Sequence, residues 1–443
     1  MSADNELNAS IPAAHVPAGG GHGWMGRVFS PVARFIGASG LTNLGDGIAL
    51  VAWAWTASLI TRDPLLIALV AVLLRLPWAI VSLPAGVITD RVDRRNLILG
   101  MDVLRAVAFL GVAITLWFAY PFEAAPERGV SSIVAYLTLL LAAAIVGTAE
   151  VFRDNAAQTM IPSLVPDHRL EATNGRLWSV ELVGNSLLGP ALGAMLVAIA
   201  LPLPFALNAV AYGVAALLVL SISGSFRANG HHRADWRQEM KEGIAFLRTS
   251  PLLKTLAWLT GFWNLFFQMV MIALVLHVQE NLGLSAQAYG LILAAGAVGG
   301  IIGGLVAEHV VRAMGPARAA QWMLFSSVPT FAVIAVAPGP VSLGLTLAVF
   351  EFCGLVWNTI SVSTRQRTIP DHLLGRVNST FRLLAWGMMP IGLLLSGMIV
   401  RMLDGPLTRD AALAAPFWVA AAGVLIVSLL GWRPLGLGLR SRS

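Results

Sequence analysis

The chain has 443 residues, of which 57% are hydrophobic and only 12% are charged, and its mean hydropathy is +0.76. Soluble proteins carry about 25% charged residues, so this composition excludes an ordinary water-soluble enzyme or binding domain. The net charge of +6 comes from basic residues scattered over short loops, which argues against nucleic acid as a partner, and the single Cys353 excludes an internal disulfide and a multi-thiolate metal site.

The N-terminal segment, residues 1–30, is rich in glycine and proline and has no basic stretch followed by an apolar one. We therefore expect a flexible cytoplasmic tail and no cleaved signal peptide. Twelve apolar runs follow, each long enough to cross a bilayer as a helix. Their predicted spans are 33–60, 64–88, 96–119, 130–155, 174–200, 203–222, 254–279, 284–308, 318–337, 341–364, 376–402 and 412–432.

A polar stretch over 223–253 divides six runs from six. In its second part, 236–247, apolar residues recur at helical spacing, which predicts an amphipathic surface helix. We therefore predict an all-α integral membrane protein whose parts are an N-terminal six-helix bundle (31–222), a cytoplasmic central loop (223–253), a C-terminal six-helix bundle (254–432) and a cytoplasmic tail (433–443).

Two internal repeats indicate that the halves are related. A charged turn after the second run contains a glycine, an acid and a basic cluster, namely Gly86, Asp90, Arg91, Arg94 and Arg95. A degenerate copy contains Gly304, Glu308 and Arg312, at an offset of 218 (304 minus 86). A second repeat starts at Val165 and again at Ile369, at an offset of 204 (369 minus 165). Two repeats at similar offsets, both just outside apolar runs, favour a duplicated architecture.

Loop charge predicts the orientation. The connections on the side of the charged turn are rich in arginine, whereas the opposite connections keep only Arg62, Arg128, Arg401 and Arg409, each close to an acid. The positive-inside rule therefore places both termini in the cytoplasm. Lysine is scarce while arginine, alanine and glycine abound, which is typical of a bacterium with GC-rich DNA. We expect a multi-pass protein of the bacterial cytoplasmic (inner) membrane.

The charged turn resembles the signature of the major facilitator superfamily of secondary transporters, although Asp93 stands where that signature usually has glycine. The segment from Gly184 to Gly193 is similar to the Gly-Pro motif of the superfamily's proton-coupled exporters. The stretches 41–47, 161–166 and 365–367 resemble its siderophore-exporter (enterobactin-type) and macrolide-efflux branch. The resemblance extends from about residue 34 to 432. It implies twelve helices in two pseudo-symmetric bundles around a central cavity, working by alternating access.

Four of the carboxylates inside the predicted spans are candidates for a function, because a charged side chain there costs about 2.5–3.5 kcal/mol on insertion scales and needs a reason to be there. Asp46 lies midway along the first run, Glu150 in the inner part of the fourth, Glu181 near the start of the fifth and Glu351 in the middle of the tenth. A carboxylic acid removed from water can hold a proton and release it when water returns, as a proton-coupled antiporter requires. We predict that these acids exchange protons or contact substrate.

Arg75 interrupts the second run and is too deep to be a loop charge. It is expected to neutralise the acid of the first run, to face an anionic substrate, or to extend along a protein-lined groove toward the surface. The structural alternative for the acids is pairing at helical spacing, Glu150 with Arg153 and, in the third run, Asp102 with Arg105. The sequence leaves these interpretations open.

Three further sets of residues have predicted roles. The resemblance implies that Asp90 engages the facing half near the start of the eleventh helix, while the arginines after it are either part of this gate or topology anchors. Helix bending and close packing are expected from proline, which removes a helix hydrogen bond, and from small residues. The bend residues are Gly189, Pro190, Gly193 and Pro390. Aromatic residues predicted to line the cavity, with interfacial packing as the alternative, are Trp53, Trp263, Phe266 and Trp386.

The predicted function is proton-driven export of a small amphipathic compound, either a siderophore or a macrolide-like drug. Small-molecule substrate, protons and the lipid bilayer are the expected partners of a monomer, with no metal, cofactor or nucleic acid. The alternatives are a lysophospholipid or lipid transporter of the same superfamily and, from another class, a polytopic membrane enzyme or sensor. The second class is disfavoured because neither a catalytic constellation nor a Walker-type phosphate loop is present in the sequence.

Overall fold

A computed structural model of the chain describes residues 30–89, 91–227 and 236–440. Within them the backbone is almost entirely helical, and the single β-bridge joins Asp404 and Leu407. The predicted tail before residue 30, Asp90 and residues 228–235 lie outside the described residues. Eleven helices are long and apolar enough to cross a membrane, and Pro64–Ile80 is a shorter apolar helix. This confirms the predicted all-α membrane fold.

We number the spans α1 to α12 and call the amphipathic helix between the halves, Trp236–Thr249, the connector helix. The helices of the N-terminal half are α1 (Pro31–Ile60), α2 (Pro64–Ile80, continued by Ser82–Thr89), α3 (Arg94–Ala119), α4 (Ile133–Leu164), α5 (Leu170–Glu181, the π-helical Leu182–Leu188 and Gly189–Ile199) and α6 (Leu203–Leu220). Those of the C-terminal half are α7 (Pro251–Leu276, with the π-helical His277–Asn281), α8 (Ala286–Met314), α9 (Pro316–Phe325 and Ser327–Val336), α10 (Pro340–Thr368), α11 (Asp371–Gly387 and Met389–Leu403) and α12 (Arg409–Arg440).

Several helices begin at a side chain that accepts a hydrogen bond from the first turn. Such a cap is needed because the first amide groups of a helix have no partner inside it. The Asp63 carboxylate accepts a hydrogen bond from the Leu65 amide at 3.0 Å, and the Asp93 carboxylate accepts one from the Asn96 amide at 3.1 Å. Serine side chains cap α1, α4, α7 and α8 in the same way. Local sequence therefore defines where these spans start.

The helices of the two halves pack in matching order. In the N-terminal half α1 contacts α5 and α6, α3 contacts α4 and α6, and α2 contacts α4. In the C-terminal half α7 contacts α11 and α12, α9 contacts α10 and α12, and α8 contacts α10. Between the halves, α2 packs against α11 and α8 packs against α5. This pattern is the two-fold pseudo-symmetry that the sequence repeats predict.

The closest helix contacts are made through glycine. A Cβ atom added to Gly299 or Gly303 of α8 would meet the backbone of α10, and one added to Gly392 of α11 would meet the backbone of α7. Between the halves, a Cβ at Gly290 of α8 would meet the Pro190 carbonyl oxygen of α5 at 2.8 Å. Small residues permit such close approaches. Because no hydrophobic force drives helices together in lipid, they associate through the packing at these contacts.

Three predicted boundaries are wrong. The inner end of α8 continues as helix to Met314, so the copy of the charged turn at Gly304 to Arg312 is helical rather than a loop. The last span continues as helix to Arg440, so residues 433–440 are not a separate tail. The fourth span continues to Leu164, past the predicted end at residue 155. Hydropathy marks the membrane edge and not the end of the helix, and the prolines in two of these extensions, Pro162 and Pro434, do not end the helix.

The connector helix forms where the apolar spacing predicts a helix. Glu242 of this helix pairs with Arg376 of α11, and a Cβ at Gly243 would meet the Arg376 carbonyl oxygen at 2.7 Å. Its Leu247 side chain is buried in the same cluster as residues of α7 and α11. The connector helix therefore packs on the C-terminal half.

The hydrogen bonds and ion pairs between the two halves lie at one end of the described molecule. We call the end with the α1–α2 connection the outer end and the opposite end the inner end, following the orientation expected from loop charge. At the outer end Arg62 hydrogen-bonds to Gln279, and Arg401 lies 3.4 Å from Asp63. By contrast, the inner half of α5 is exposed on most sides, as is the inner half of α8. The two halves are therefore bonded to each other at the outer end, while α5 and α8 are exposed at the inner end.

Candidate substrate cavity

A cavity of about 370 Å³ lies between the two halves, near the middle of the spans. This volume falls in the usual range of small-molecule sites, which are mostly apolar with a few polar groups. Its lining includes four of the five charged residues predicted to exchange protons or contact substrate. The other lining side chains are mostly apolar. The charged residues lining the cavity are Asp46, Arg75, Glu150 and Glu351. The folding of the chain thus brings these separate residues to one site.

Asp46 is held on the N-terminal wall by two neighbours. Its carboxylate forms an ion pair with Arg105 of α3 and accepts a hydrogen bond from the Tyr212 hydroxyl of α6 at 2.6 Å. The Arg105 guanidinium lies 4.1 Å from the centre of the Tyr212 ring, and its side chain is only 1% exposed. The expectation that Arg75 neutralises Asp46 is wrong, because Arg105 occupies that position.

Arg105 is the residue that sequence reasoning missed. It was expected to pair with Asp102 one turn away on α3, but Asp102 instead accepts from Arg153 of α4 at 2.9 Å. Both partners of that second pair are buried, so it joins α3 to α4 inside the bundle. The alternative pairing of Glu150 with Arg153 is likewise replaced. The position of Arg105 in the centre of an apolar run could have identified it as a site residue, because an arginine at this depth needs a partner on another helix.

Arg75, Glu150 and Glu351 make no ion pair or side-chain hydrogen bond that we find within the described residues. Arg75 is exposed to the cavity, and Glu150 is half-buried on the same N-terminal wall. Glu351 is half-buried on the opposite wall, which the C-terminal half forms. The cavity therefore offers one cation and two acids whose charges are not used by a direct protein partner.

Glu181 is not part of the cavity wall. It is the last residue of Leu170–Glu181 in α5 and is exposed, while the next residue, Leu182, lines the cavity. The π-helical turn that starts at Leu182 ends just before Gly189 and Pro190, and the Gly189 amide donates to the Gly184 carbonyl oxygen five residues back. The wide π-helical turn agrees with the helix bend expected at this proline, because proline has no amide hydrogen to continue the regular pattern of helix hydrogen bonds.

The bend residues also bring helices together. Added Cβ atoms at Gly189 and Gly193 would collide with the backbone of α1 at Gly47 and Ile48. In α11 the helix is interrupted at Met388, and Pro390 takes the second position of the outer segment. The break is therefore accommodated at a helix start, where a missing amide is tolerated.

Of the four aromatic residues predicted to line the cavity, only Trp53 does so. Trp263 stacks on both Phe267 and Phe350, at centroid distances of 5.2 and 5.4 Å, and donates a hydrogen bond to the Ser327 hydroxyl at 3.0 Å. Phe266 packs on Gly423 of α12. The side chains of α7 that reach the cavity are Phe267, Gln268, Met271 and Ile272. Sequence alone could not choose between adjacent aromatic residues on one helix.

Trp386 lies nearer the inner end, where α2 and α11 approach each other. Its ring meets that of Trp78 edge-on at 5.1 Å, and the Arg382 guanidinium lies 5.8 Å from its centre. A second cavity of about 60 Å³ is lined by both tryptophans, Arg382 and Asp154 of α4, among others. The Trp386 prediction is therefore wrong for the central cavity and correct only for this smaller inner one.

The charged turn contacts its own half. Arg94 donates to the Thr159 carbonyl oxygen of α4 at 2.9 Å, and Arg95 donates to the Leu220 carbonyl oxygen at the end of α6 at 2.5 Å. The Asp93 carboxylate accepts from the Phe226 amide at 2.8 Å. Cations at helix C-termini are favoured by the helix dipole. These contacts support the anchor interpretation of the arginines, whereas Asp90, the expected gate, lies outside the described residues.

Within the described residues, we find no hydrogen bond or ion pair from the remaining signature residues to the opposite half. Gly86 lies in helix Ser82–Thr89, and a Cβ added to it, or to Gly304, would meet nothing within 4 Å. Arg91 is exposed. Glu308 and Arg312 pair with each other on one face of α8, with 71% and 69% of their side chains exposed. Their gating role stays a prediction for another conformation.

Comparisons with known proteins identify relatives over nearly the whole chain. A family model described as Major Facilitator Superfamily matches residues 35–393. The multidrug efflux pump Tap of Mycobacterium tuberculosis (strain CDC 1551 / Oshkosh) is 24% identical over 421 residues, covering 91% of this chain and 93% of Tap. Tap of Mycolicibacterium fortuitum is 25% identical over 424 residues, covering 90% and 94%.

Solved structures show the same fold. The nucleoside transporter NupG superimposes with a TM-score of 0.67 at 13% identity, covering 91% of this chain and 98% of NupG. A bacterial homologue of the iron transporter ferroportin in its inward-facing state gives 0.67 at 19% identity, with the same coverage, and its outward-facing state gives 0.57. At these identities the likeness concerns the fold and not the substrate.

Proposed function

The chain belongs to the Major Facilitator Superfamily, and on that premise we propose that it exports small amphipathic compounds in exchange for protons. The family is one of transporters, so the chain is a multi-pass membrane transporter and not an enzyme. The export direction follows the relatives named multidrug efflux pump. We further propose the cytoplasmic membrane of a bacterium, with both termini inside, from the distribution of loop arginines.

The observation that carries the proposal is the meeting of acids from both halves in one cavity. Asp46 and Glu150 reach it from the N-terminal wall and Glu351 from the C-terminal wall, amid mostly apolar side chains. A transporter that alternates between two openings exposes such a cavity to one side of the membrane at a time. An acid there can exchange a proton with each side in turn, which couples substrate movement to the proton gradient.

We assign the coupling proton to Asp46. Its carboxylate joins α1 to α3 and α6 through Arg105 and Tyr212, so a proton added to it weakens the ion pair that holds these three helices. A change in charge at this point therefore alters helix packing as well as the cavity wall. Such a bistable contact is what proton-driven switching between two conformations requires.

The test is proton movement in proteoliposomes that contain a pH-sensitive dye. Siderophores, macrolides and lysophospholipids are added in turn, and a dye response to one class identifies both the coupling and the substrate. A response to lysophospholipids alone would favour the lipid transporter of the same superfamily. Absence of any substrate-linked proton flux, with downhill transport intact, would contradict proton coupling.

Two variants test the role of Asp46. Asp46→Asn leaves the buried Arg105 without its partner, which costs about 3–5 kcal/mol and can prevent folding. The double variant Asp46→Asn/Arg105→Gln removes both charges together and is the form to compare. We expect it to equilibrate substrate downhill but to lose proton-driven accumulation. Unchanged accumulation by a folded double variant would refute the assignment.

A further inference from the structure

We infer that Glu351 selects cationic substrates, so that the exported compound has a positive charge beside an apolar or aromatic body. The inference rests on the proposed export function and names its substrate class. It also separates two roles among the acids of the cavity. Asp46 responds to protons, and Glu351 recognises the charge of the substrate.

The first argument is the charge balance of the cavity. Asp46 is already paired with Arg105, which lies behind it in the N-terminal half. Of the remaining charged residues in the lining, Arg75 and Glu150 carry opposite charges on the same wall. Glu351 is the one charged residue in the lining that the described C-terminal half contributes. With every group ionised, the site therefore has one uncompensated negative charge, which a monocation would neutralise.

The second argument is that packing holds the Glu351 side chain in place. Its stem lies against the glycine face of α8, where a Cβ added to Gly300 would be 3.6 Å from the Glu351 Cβ and one added to Gly296 would be 3.5 Å from its Cγ. One turn along, Gly299 and Gly303 bring α8 directly onto the backbone of α10. The carboxylate is therefore positioned before substrate binds, and less side-chain freedom is lost on binding.

The third argument is the composition of the wall around Glu351. Phe267 lies in the lining and stacks on Trp263 and Phe350, at centroid distances of 5.2 and 5.4 Å, so its ring is held rigidly. Tyr289, on α8, adds a second aromatic ring from the same half. An organic cation is attracted by aromatic faces as well as by a carboxylate. The same wall rejects a polyanion, because its only charge is negative.

An acid without a counter-ion in a mostly apolar cavity is costly unless it has a use. A structural acid would be bound by a basic residue, as Asp102 is by Arg153. No such bond to Glu351 is present within the described residues. The most direct use for the group is a ligand that brings the missing charge.

The experiment measures binding of two probes of similar shape to purified full-length protein in detergent. Tetraphenylphosphonium is a permanent cation, and triphenylphosphine oxide is neutral, so protonation of the probe plays no part. We expect the wild-type protein to prefer the cation. Glu351→Gln should weaken cation binding by tenfold or more and change binding of the neutral probe by less than twofold.

The controls separate recognition from structure. Glu351→Asp keeps the charge and should recover part of the cation affinity. Glu127→Gln, at an exposed residue of the α3–α4 connection outside the cavity lining, should change binding of neither probe. Equal weakening of both probes by Glu351→Gln, or no weakening of either, would overturn the inference. A wild-type protein without preference for the cation would do the same.

Because binding is measured without a proton gradient, the result is independent of proton coupling. Cation preference can hold in a protein that moves no protons, and it can fail in one that does. If Glu351→Gln instead stops proton flux in proteoliposomes while cation affinity is unchanged, Glu351 is a coupling residue and the cation-selection role is refuted.

Discussion

Removing Arg62 should shift the transporter toward its outward-facing state. Arg62 lies in the α1–α2 connection and hydrogen-bonds to Gln279 at the outer end of α7, while its guanidinium is 3.8 Å from the Glu280 carboxylate. Gln279 in turn donates to the Ser58 hydroxyl at 2.7 Å. All of these bonds join the N-terminal half to the C-terminal half. They can exist only while the outer end is closed.

The size of the shift follows from these contacts. A hydrogen bond from a charged donor contributes about 1.5–3 kcal/mol. The ion pair with Glu280 adds less than about 1 kcal/mol, because the side chains are 28% and 22% exposed and the pair is screened by solvent. Arg62→Ala should therefore disfavour the closed outer end by about 2 kcal/mol, which is roughly 30-fold in the equilibrium. A state populated at about 1% would rise to about a quarter of the molecules.

Pulsed electron spin resonance distances across the outer end measure this population. Spin labels at Glu123→Cys and Gln287→Cys place one exposed probe on each half, in a Cys353→Ser background that removes the native thiol. The longer distance should gain weight in the Arg62→Ala protein. Distance distributions identical to those without the substitution would refute the reasoning.

The matched control removes an arginine that joins neither half to the other. Arg248 of the connector helix is exposed, and no bond from its side chain is found within the described residues. Arg248→Ala should therefore leave the distance distribution unchanged.

Two further predictions concern folding, and both are checked by thermal unfolding in detergent. Gly299→Ala should lower stability by about 2 kcal/mol or more, because the new Cβ would overlap the backbone of α10. Gly304→Ala should raise stability by about 0.5–1 kcal/mol, because no atom lies within 4 Å of the new Cβ and alanine favours a helix over glycine. Similar unfolding midpoints for the two variants would contradict this reasoning. Asp102→Asn should cost about 1–3 kcal/mol, because it removes the carboxylate that bonds the buried Arg153 at 2.9 Å and leaves only Asp154, at 3.7 Å, as a charged partner. Glu308→Gln should not move the unfolding midpoint. An Asp102→Asn protein as stable as the wild type would show that the buried pair is dispensable.

Helix number and the positions of the spans could be predicted from the sequence because they depend on local chemistry. A run of about twenty apolar residues forms a helix in a membrane wherever it lies, since no water is available to its backbone. Caps such as Asp63 and Asp93 are likewise local, because the capping side chain and its amide partner are two or three residues apart. The repeats at Gly86 and Gly304 similarly indicated related halves before any contact was known.

Ion-pair partners were beyond the sequence. Asp102 and Arg105 are well spaced to pair on one helix, yet each pairs with a residue on another span. The choice is decided by which faces of α1, α3 and α4 meet in the bundle. An exposed pair at helical spacing, Glu308 with Arg312, does form, because no neighbouring helix competes for either charge.

The sequence by itself determined that this chain is a twelve-span transporter with acids in its membrane core, since hydropathy and motif spacing are read along one dimension. Only the tertiary structure decided that Asp46, Glu150 and Glu351 share one cavity, and that Phe267 rather than Phe266 faces it. Adjacent residues on a helix differ by about 100° in direction, so a small rotation exchanges cavity and core. That rotation is set by packing between distant segments.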